Sequence, residues 1–193
     1  MQLERTSGRR LLRAVLTACA AIVIAGITVV GGQPAAAAEP ETGSSVQAQI
    51  DAVLAQHPDG KQINTNQIAW ENGTVILTIP MDGQRAAYGP GEQGVRKDGR
   101  PDCPYYWTCV YKDENYNDRR LQFSHCGYIQ DLGGYGFNDQ TTSWHNNQSG
   151  GARTRVYDWR GAWVQLWATG DAQSWNPNVG KANNDKADGI KAC

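Results

Sequence analysis

The sequence has no excess of basic residues and few of the side chains on which most enzymes depend. Its 193 residues include 18 Lys and Arg, 19 Asp and Glu, and only three His. No two His have the spacing of a His-Glu-x-x-His zinc helix, and there is no Gly-x-Ser-x-Gly elbow or phosphate-binding Gly loop. These absences argue against nucleic-acid binding, which needs a basic patch. They also predict that the protein is not an enzyme.

The first 38 residues have the order of a secretory signal peptide. A basic stretch with Arg9 and Arg10 precedes an apolar run at 14–30 and four consecutive Ala at 35–38. We expect cleavage after Ala38 and secretion to the extracellular space, with an uncleaved membrane anchor as the alternative. Cleavage removes four Arg and one Glu, which leaves 14 basic and 18 acidic residues and a net charge of −4. An acidic chain predicts neither nucleic acid nor an anionic membrane as the partner.

The use of cysteine fits an exported chain. Cys19 leaves with the signal, and the four remaining Cys predict two disulfides. A short Pro-containing loop brings Cys103 and Cys109 together at little entropic cost, and Cys126 would then pair with Cys193. Other pairings stay open. A zinc site is the alternative, although the paired Cys-x-x-Cys spacing of such sites is missing.

The exported chain divides into two structured regions and a linker. Apolar residues recur at helical spacing over 45–56, after a cap at Ser44 or Ser45. Asn72-Gly73 between two β-prone runs then predicts a hairpin. This helix-hairpin region, 39–80, buries little by itself, so we expect it to pack on another part or to be a pro-region. Residues 81–101 are rich in Gly and predict a linker.

Residues 102–193 predict a β domain, because short apolar runs alternate with turn residues. The predicted strands lie at 110–111, 121–123, 143–145, 155–157 and 163–167. A repeat with an offset of 46 relates Val110-Tyr111 to Val156-Tyr157, Gly134 to Gly180, and Asn138-Asp139 to Asn184-Asp185. Three anchors that share one offset indicate two copies of a β unit of Greek-key size.

These residues carry a resemblance to known proteins. The segment 138–143, Asn-Asp-Gln-Thr-Thr-Ser, follows Tyr111 and Tyr116 and resembles the calcium motif of a βγ-crystallin Greek key. The second copy, 184–189, matches only at its first two specified positions. With the export signal and the Cys-Pro-x-x-x-x-Cys loop, the chain is similar to the secreted βγ-crystallin-like peptidase inhibitors of actinobacteria, the Streptomyces metalloproteinase inhibitor family.

The resemblance covers residues 102–193 and implies both a fold and an activity. The fold is mostly β, a double Greek-key sandwich with the helix-hairpin region as an N-terminal extension. The activity is inhibition of a secreted, thermolysin-type metalloproteinase by a monomer that occludes its cleft. The resemblance does not supply the reactive loop. The alternatives are an extracellular calcium-binding structural or stress protein, and a carbohydrate or cell-wall binding module that uses Trp.

Two sets of candidate site residues follow. The calcium ligands that the resemblance implies are Asn138, Asp139, Ser143, Asn184, Asp185 and Asp188. The alternative is that both loops are turns in which Asn and Asp bond their own backbone; no other cofactor is predicted. The predicted partner-binding residues are Asp158, Trp159 and Arg160, since an exposed Trp beside Arg is typical of binding hot spots. In the alternative, Trp159 folds back over the end of the sandwich.

Overall fold

The structure, a computed structural model, describes residues 45–193, so the predicted signal peptide lies outside the described residues. The protein is mostly β, as predicted, with one α-helix, α1 (Val46–Gln56), and two antiparallel sheets in this part of the chain. The strands are β1 (Lys61–Gln62), β2 (Gln67–Trp70), β3 (Val75–Thr78), β4 (Thr108–Tyr111), β5 (Arg120–Phe123), β6 (Gln130–Asp131), β7 (Ser143–Asn146), β8 (Arg155–Trp159), β9 (Trp163–Ala168), β10 (Ser174–Asn176) and β11 (Gly189–Lys191). No helix within 45–193 has the length and apolar character needed to cross a bilayer.

The predicted helix and hairpin of the N-terminal region are confirmed. Ser45 caps α1, because its Oγ accepts a hydrogen bond from the backbone N–H of Ala48 at 3.2 Å. The hairpin joins β2 to β3 through the four residues 71–74, of which Glu71, Asn72 and Gly73 have a positive φ (49°, 55° and 86°). The apolar face of α1 and Trp70 of β2 are buried in the same hydrophobic core as the strands of residues 102–193.

The hairpin extends a larger sheet. β3 pairs antiparallel with β5, and Ile76 lies opposite Gln122. The first sheet has the order β1-β2-β3-β5-β4-β7-β10, and the second has the order β6-β11-β8-β9. The N-terminal region therefore supplies three strands of a seven-stranded sheet. Its removal as a pro-region stays a prediction, and such removal would leave the outer side of β5 unpaired.

The two halves of residues 102–193 follow the same path. β4 and β5 form a hairpin, β6 crosses to the second sheet, and β7 returns beside β4. In the second half β8 and β9 form a hairpin, β10 crosses to the first sheet, and β11 returns beside β8. Each half thus contributes one strand to the sheet of the other half, and the core between the two sheets is shared.

The backbone hydrogen bonds repeat with the offset of 46. Thr142 N–H donates to the Tyr111 carbonyl at 3.0 Å, and Asp188 N–H donates to the Tyr157 carbonyl at 2.8 Å. These two bonds occupy equivalent positions, since both the donors and the acceptors are 46 residues apart. The faint sequence repeat is therefore a structural repeat.

The four Cys are joined as predicted. Cys103 pairs with Cys109, and Cys126 pairs with Cys193, with Cα–Cα distances of 6.0 and 5.0 Å. All four are in disulfides, so the alternative of a zinc site does not hold. The disulfides indicate an oxidising compartment.

Residues 81–102, which we call the strap, have no helix or strand but are held against β5. The Arg120 guanidinium, only 1 % exposed, donates to Glu92 Oε2 at 2.7 Å and to the Asp102 carbonyl at 2.9 Å. A single bridge also joins Ala86 to Asp118. The strap, which contains the segment 81–101 predicted as a linker, is thus attached by a buried ion pair at its centre and a hydrogen bond at its end.

Candidate functional site

The two Asn-Asp loops pack against each other at one end of the sandwich. Asp139 N–H donates to the Ala187 carbonyl at 3.0 Å, and Asp185 N–H donates to the Thr141 carbonyl at 3.4 Å. Both Asp residues have a positive φ, 53° and 52°, which Asp tolerates better than most residues. The equivalent conformations and reciprocal bonds fix a near-symmetric pair of loops, and each loop faces the β-hairpin turn of the other half.

Two open pockets flank this pair of loops. Pocket A, of about 760 Å³, lies between the second Asn-Asp loop and the turn after β4. Pocket B, of about 720 Å³, lies between the first Asn-Asp loop and the turn after β8. Pocket A is lined by Lys112, Asp113, Glu114, Asn117, Asp139, Gln140, Thr142, Asn178, Lys181, Asn184 and Asp185. Pocket B is lined by Asp131, Gly133, Asn138, Asp139, Asp158, Trp159, Trp163 and Asp188.

Pocket A has charges of both signs. Lys112 and Lys181 lie among its carboxylates, and the Lys112 ammonium donates to Asp118 Oδ2 at 2.6 Å. Thr142 Oγ1 lies 3.4 Å from Asp185 Oδ1, so that a hydroxyl of one half meets a carboxylate of the other. The lysines offset part of the negative potential of this pocket.

Pocket B has charge of one sign and an aromatic wall. Four Asp line it, and none of its lining residues is basic. The rings of Trp159 and Trp163 meet edge to face, with centroids 4.9 Å apart and planes at 66°. Trp159 is 54 % exposed and borders the mouth of the pocket. Its predicted exposure is confirmed, and the alternative in which it covers the end of the sandwich does not hold.

Asp188 is the most buried carboxylate of pocket B. Its side chain belongs to a residue that is 8 % exposed, and its Oδ2 accepts a hydrogen bond from the Trp159 backbone N–H at 2.7 Å. Its Oδ1 is buried and has no hydrogen-bond donor within the described part of the chain. A buried polar atom without a partner is uncommon and needs an explanation.

The pKa values of two carboxylates in pocket B reflect the closeness of its four Asp residues. Desolvation, followed by the negative charges of Asp188, Asp158 and Asp185, raises the pKa of Asp139 above its usual value. Asp158 behaves in the opposite way, because the hydrogen bond that Arg160 Nε donates to its Oδ2 at 2.6 Å, together with a hydrogen bond shared with the Asp188 carboxyl, holds its pKa below the usual range. Arg160 forms its ion pair with Asp158 alone, and Lys186 acts on the same carboxylate through its charge.

The predicted calcium ligands are spread over the two pockets. Asn138 and Asp188 line pocket B, Asn184 and Asp185 line pocket A, and Asp139 lines both. No group of three or more His, Cys, Asp or Glu within residues 45–193 is arranged to hold one metal ion.

Ser143 lies in neither pocket. Its buried hydroxyl donates to the Asp113 carbonyl at 2.7 Å and accepts from the Tyr116 N–H at 3.1 Å, so it holds the turn after β4. The hydroxyl that does line a pocket is the one of Thr142, one position earlier. Residue 188 is its equivalent in the second half, at the offset of 46. The repeat was the sequence signal that could have found this pair.

Position 189 has Gly, where the motif has Ser, for a steric reason. A Cβ on Gly189 would lie 2.6 Å from Trp163 Cζ3 and 2.9 Å from Ile129 Cγ2. Such distances are too short for any side chain at this position without movement of the indole. The second motif departs from the first because Trp163 occupies the space and becomes a wall of pocket B.

A second exposed feature, at the opposite end of β4, is not among the predicted site residues. Tyr105 and Tyr106 are 49 % and 62 % exposed in the loop that the Cys103–Cys109 disulfide closes. Their ring centroids are 4.1 Å apart, and Tyr106 has a φ of 73°. The cysteine spacing locates this loop in the sequence, but it does not indicate which side chains point to solvent.

Asn147, just after β7, fixes the conformation of this loop. It accepts from the Tyr106 N–H at 2.9 Å through its carbonyl, donates its own N–H to the Trp107 carbonyl at 3.0 Å, and donates its side-chain Nδ2 to the Cys103 carbonyl at 2.7 Å. Three hydrogen bonds and a disulfide thus hold a short loop with two exposed aromatic rings.

No protein family matches the chain, and neither a curated protein nor a solved structure is similar to it.

Proposed function

We propose that the protein is a secreted peptidase inhibitor, which inserts a rigid loop into the cleft of a thermolysin-type metalloproteinase. The observation that carries the proposal is the disulfide-closed loop 103–109 with its exposed Tyr105 and Tyr106. Tyr is enriched among the residues that dominate the binding energy of protein interfaces. A non-glycine residue held at positive φ, as Tyr106 is, is also frequent at functional sites.

Rigidity is the physical requirement of this mechanism. A flexible loop loses conformational entropy when a peptidase binds it, whereas a loop fixed in its bound shape does not. The disulfide and the three hydrogen bonds of Asn147 supply that fixation here. The turn at Asp158–Arg160, the contact surface expected from the sequence, has no disulfide.

The proposed fold is a βγ-crystallin-like double Greek key. Its support is the shared path of the two halves, in which each third strand crosses to the sheet of the other half. The reciprocal loops around Asp139 and Asp185 support it further. A compact sandwich of this kind would present the loop 103–109 from a stable end.

The test is a titration of thermolysin with the oxidised protein, residues 39–193. We expect stoichiometric inhibition in the wild type and an inhibition constant about tenfold or more weaker in Tyr106→Ala, the size expected of a hot-spot residue. The matched control is Trp159→Ala, which removes an exposed aromatic ring at the other end of the molecule and should inhibit as the wild type does. A fragment 102–193 is not used, because it lacks β3, the partner of β5.

Each result bears on one part of the proposal. Inhibition that Trp159→Ala weakens and Tyr106→Ala leaves intact would move the contact surface to the turn at Asp158–Arg160. No inhibition at micromolar protein would contradict the proposal for this class of peptidase.

Two other roles stay predictions of the sequence. A calcium-binding protein would melt at a higher temperature in millimolar calcium, because a ligand that binds only the folded state stabilises it. A carbohydrate-binding module would be retained on an insoluble polysaccharide and released by Trp159→Ala.

A further inference from the structure

We propose that pocket B binds an organic cation with an aliphatic stem, an alkylammonium group such as that of a lysine side chain or a diamine. The site is independent of the loop 103–109 and of the inhibitory activity proposed above. It combines the buried, unpartnered Oδ1 of Asp188 with the walls formed by Trp159 and Trp163.

The charge of the pocket selects a cation. Four carboxylates line a pocket of about 720 Å³ without a basic lining residue. Desolvation, followed by repulsion from the carboxylates around it, raises the pKa of Asp139. A bound positive charge would relieve this repulsion, and the low polarity of the indole wall would strengthen each attraction.

The orphan oxygen of Asp188 shows where the cation would lie. Its Oδ2 accepts from the Trp159 N–H at 2.7 Å, and its buried Oδ1, on a side chain that interacts with the Asp158 carboxyl, has no N–H donor within the described chain and can accept from a ligand. An ammonium group carries three donors and no acceptor, which suits a position between Oδ1 and a second carboxylate. The burial of Asp188 makes a charge-assisted hydrogen bond here stronger than one at the open surface.

The tryptophans favour an organic cation over a metal ion. A calcium ion requires six to eight oxygens at about 2.3–2.6 Å. The carboxylates of the described chain do not converge in threes on one point, and Trp163 fills the space beside Gly189. An alkylammonium needs fewer oxygens, its charge is attracted to the face of an indole ring, and its methylene stem can pack on the same rings.

Pocket A supplies the internal comparison. It has the equivalent position in the other half, but Lys112 and Lys181 line it and Thr142 replaces Asp188. Its hairpin turn has Asp113 where pocket B has Trp159. An organic cation would meet a lysine instead of an aromatic wall there, so binding is expected at pocket B alone.

The probes are 1,5-diaminopentane, Nα-acetyl-lysine amide and the uncharged 1,5-pentanediol, titrated into the oxidised 39–193 protein. Tryptophan fluorescence and calorimetry report binding. We expect saturable binding of the diamine that weakens at high salt, because the attraction is electrostatic, and none of the diol. Equal affinity for the lysine derivative would indicate a lysine side chain of a partner as the source of the ammonium. Binding of the diamine alone would indicate a free polyamine.

The variants assign the site. Asp188→Asn should weaken binding of the diamine about tenfold or more, and Trp159→Ala, an exposed position, about two- to fivefold, as cation–π contacts at exposed sites do. Arg160→Gln should tighten binding, since it frees the Asp158 carboxylate. The matched control is Trp175→Ala, which removes a 43 % exposed Trp from β10, outside both pockets.

Three results would overturn the proposal. The first is the absence of diamine binding in both the wild type and Arg160→Gln, which does not depend on the folding of Asp188→Asn. The second is equal binding of the diol, which would indicate stacking of a neutral ligand such as a sugar. The third is calcium binding that the same variants abolish and the diamine does not displace, which would make pocket B a metal site.

Discussion

The two halves of the β domain share a path but differ in what surrounds them. In the first half, β5 is covered by the N-terminal hairpin, and pocket A contains lysines. In the second half, the equivalent strand β9 is an edge with an exposed Val164, and pocket B has a tryptophan wall and no charged lining residues other than Asp. A repeated backbone therefore sets positions, whereas the side chains at equivalent positions, such as Thr142 and Asp188, decide what each position does.

The largest effect is expected in the N-terminal hairpin, which pairs with β5 of the first half. Trp70 is 2 % exposed in the shared core, so Trp70→Ala should lower the free energy of unfolding by about 3–5 kcal/mol, through lost burial and the cavity left behind. Urea unfolding followed by circular dichroism measures this. A loss below about 1 kcal/mol would mean that the hairpin contributes little to the β domain.

The next effect is a pH dependence that arises from His145 in the first half. His145 of β7 is 2 % exposed, whereas Lys191, its equivalent in β11, is half-buried. Burial, followed by the charge of Arg100, lowers the pKa of His145 from 6.5 to about 4. The unfolded chain therefore binds more protons than the folded one between these values, so this contribution is present above pH 6.5 and is lost as the pH falls toward 4.

The expected size is up to about 3 kcal/mol, at about 1.4 kcal/mol for each unit of pKa. Urea unfolding at pH 7 and pH 4.5 measures it in the wild type and in His145→Gln, because other groups titrate equally in both proteins. Parallel pH profiles for the two would refute the role of His145.

A smaller effect would come from exchange of the equivalent residues in the two pockets. Asp188→Thr gives pocket B the residue that pocket A has, and it removes the carboxylate that, after desolvation, contributes most to the raised pKa of Asp139. The pKa of Asp139, followed by NMR titration of its carboxyl carbon, should move down toward its usual value. Thr142→Asn, which adds no charge, serves as the control, and an unchanged pKa in Asp188→Thr would contradict the electrostatic interpretation of pocket B.

The smallest effect is expected at the uncovered edge. Val164 in β9 is 39 % exposed, so Val164→Ala should change the free energy of unfolding by no more than about 0.5 kcal/mol, as surface substitutions usually do. The same urea measurement applies. A loss near that of Trp70→Ala would show that β9 is covered in solution, for example by a second copy of the chain.

The local elements could be predicted from the sequence, and their long-range relations could not. The spacing of Val46, Ile50 and Val53 predicts α1, and Asn72-Gly73 predicts the hairpin, because both signals lie within one element. The pairing of β3 with β5 depends on contacts between residues over 40 positions apart. β6, β10 and β11 have only two or three residues each, too few for a period.

The site was predicted in part for the same reason. The repeat indicates that the Asn-Asp loops are equivalent, and the structure brings them together. The motif does not indicate that Ser143 is used by the turn after β4, nor that Trp163 lies over Gly189. Both facts depend on side chains that meet from distant parts of the chain, as does the exposure of Tyr105 and Tyr106.

The attachment of the strap affects how easily a peptidase can cleave the protein. A peptidase cleaves extended segments that can leave the body of a protein, and residues 81–102, which have no regular structure, would ordinarily be such a segment. Here Glu92 is bound to the buried Arg120, so detachment of the strap would leave the charge of Arg120 buried without its partner. Cleavage at Glu92 should therefore require an opening that breaks this ion pair, at a cost of about 3–5 kcal/mol. A protein that works beside peptidases would thus be protected at the part of its chain that is easiest to reach.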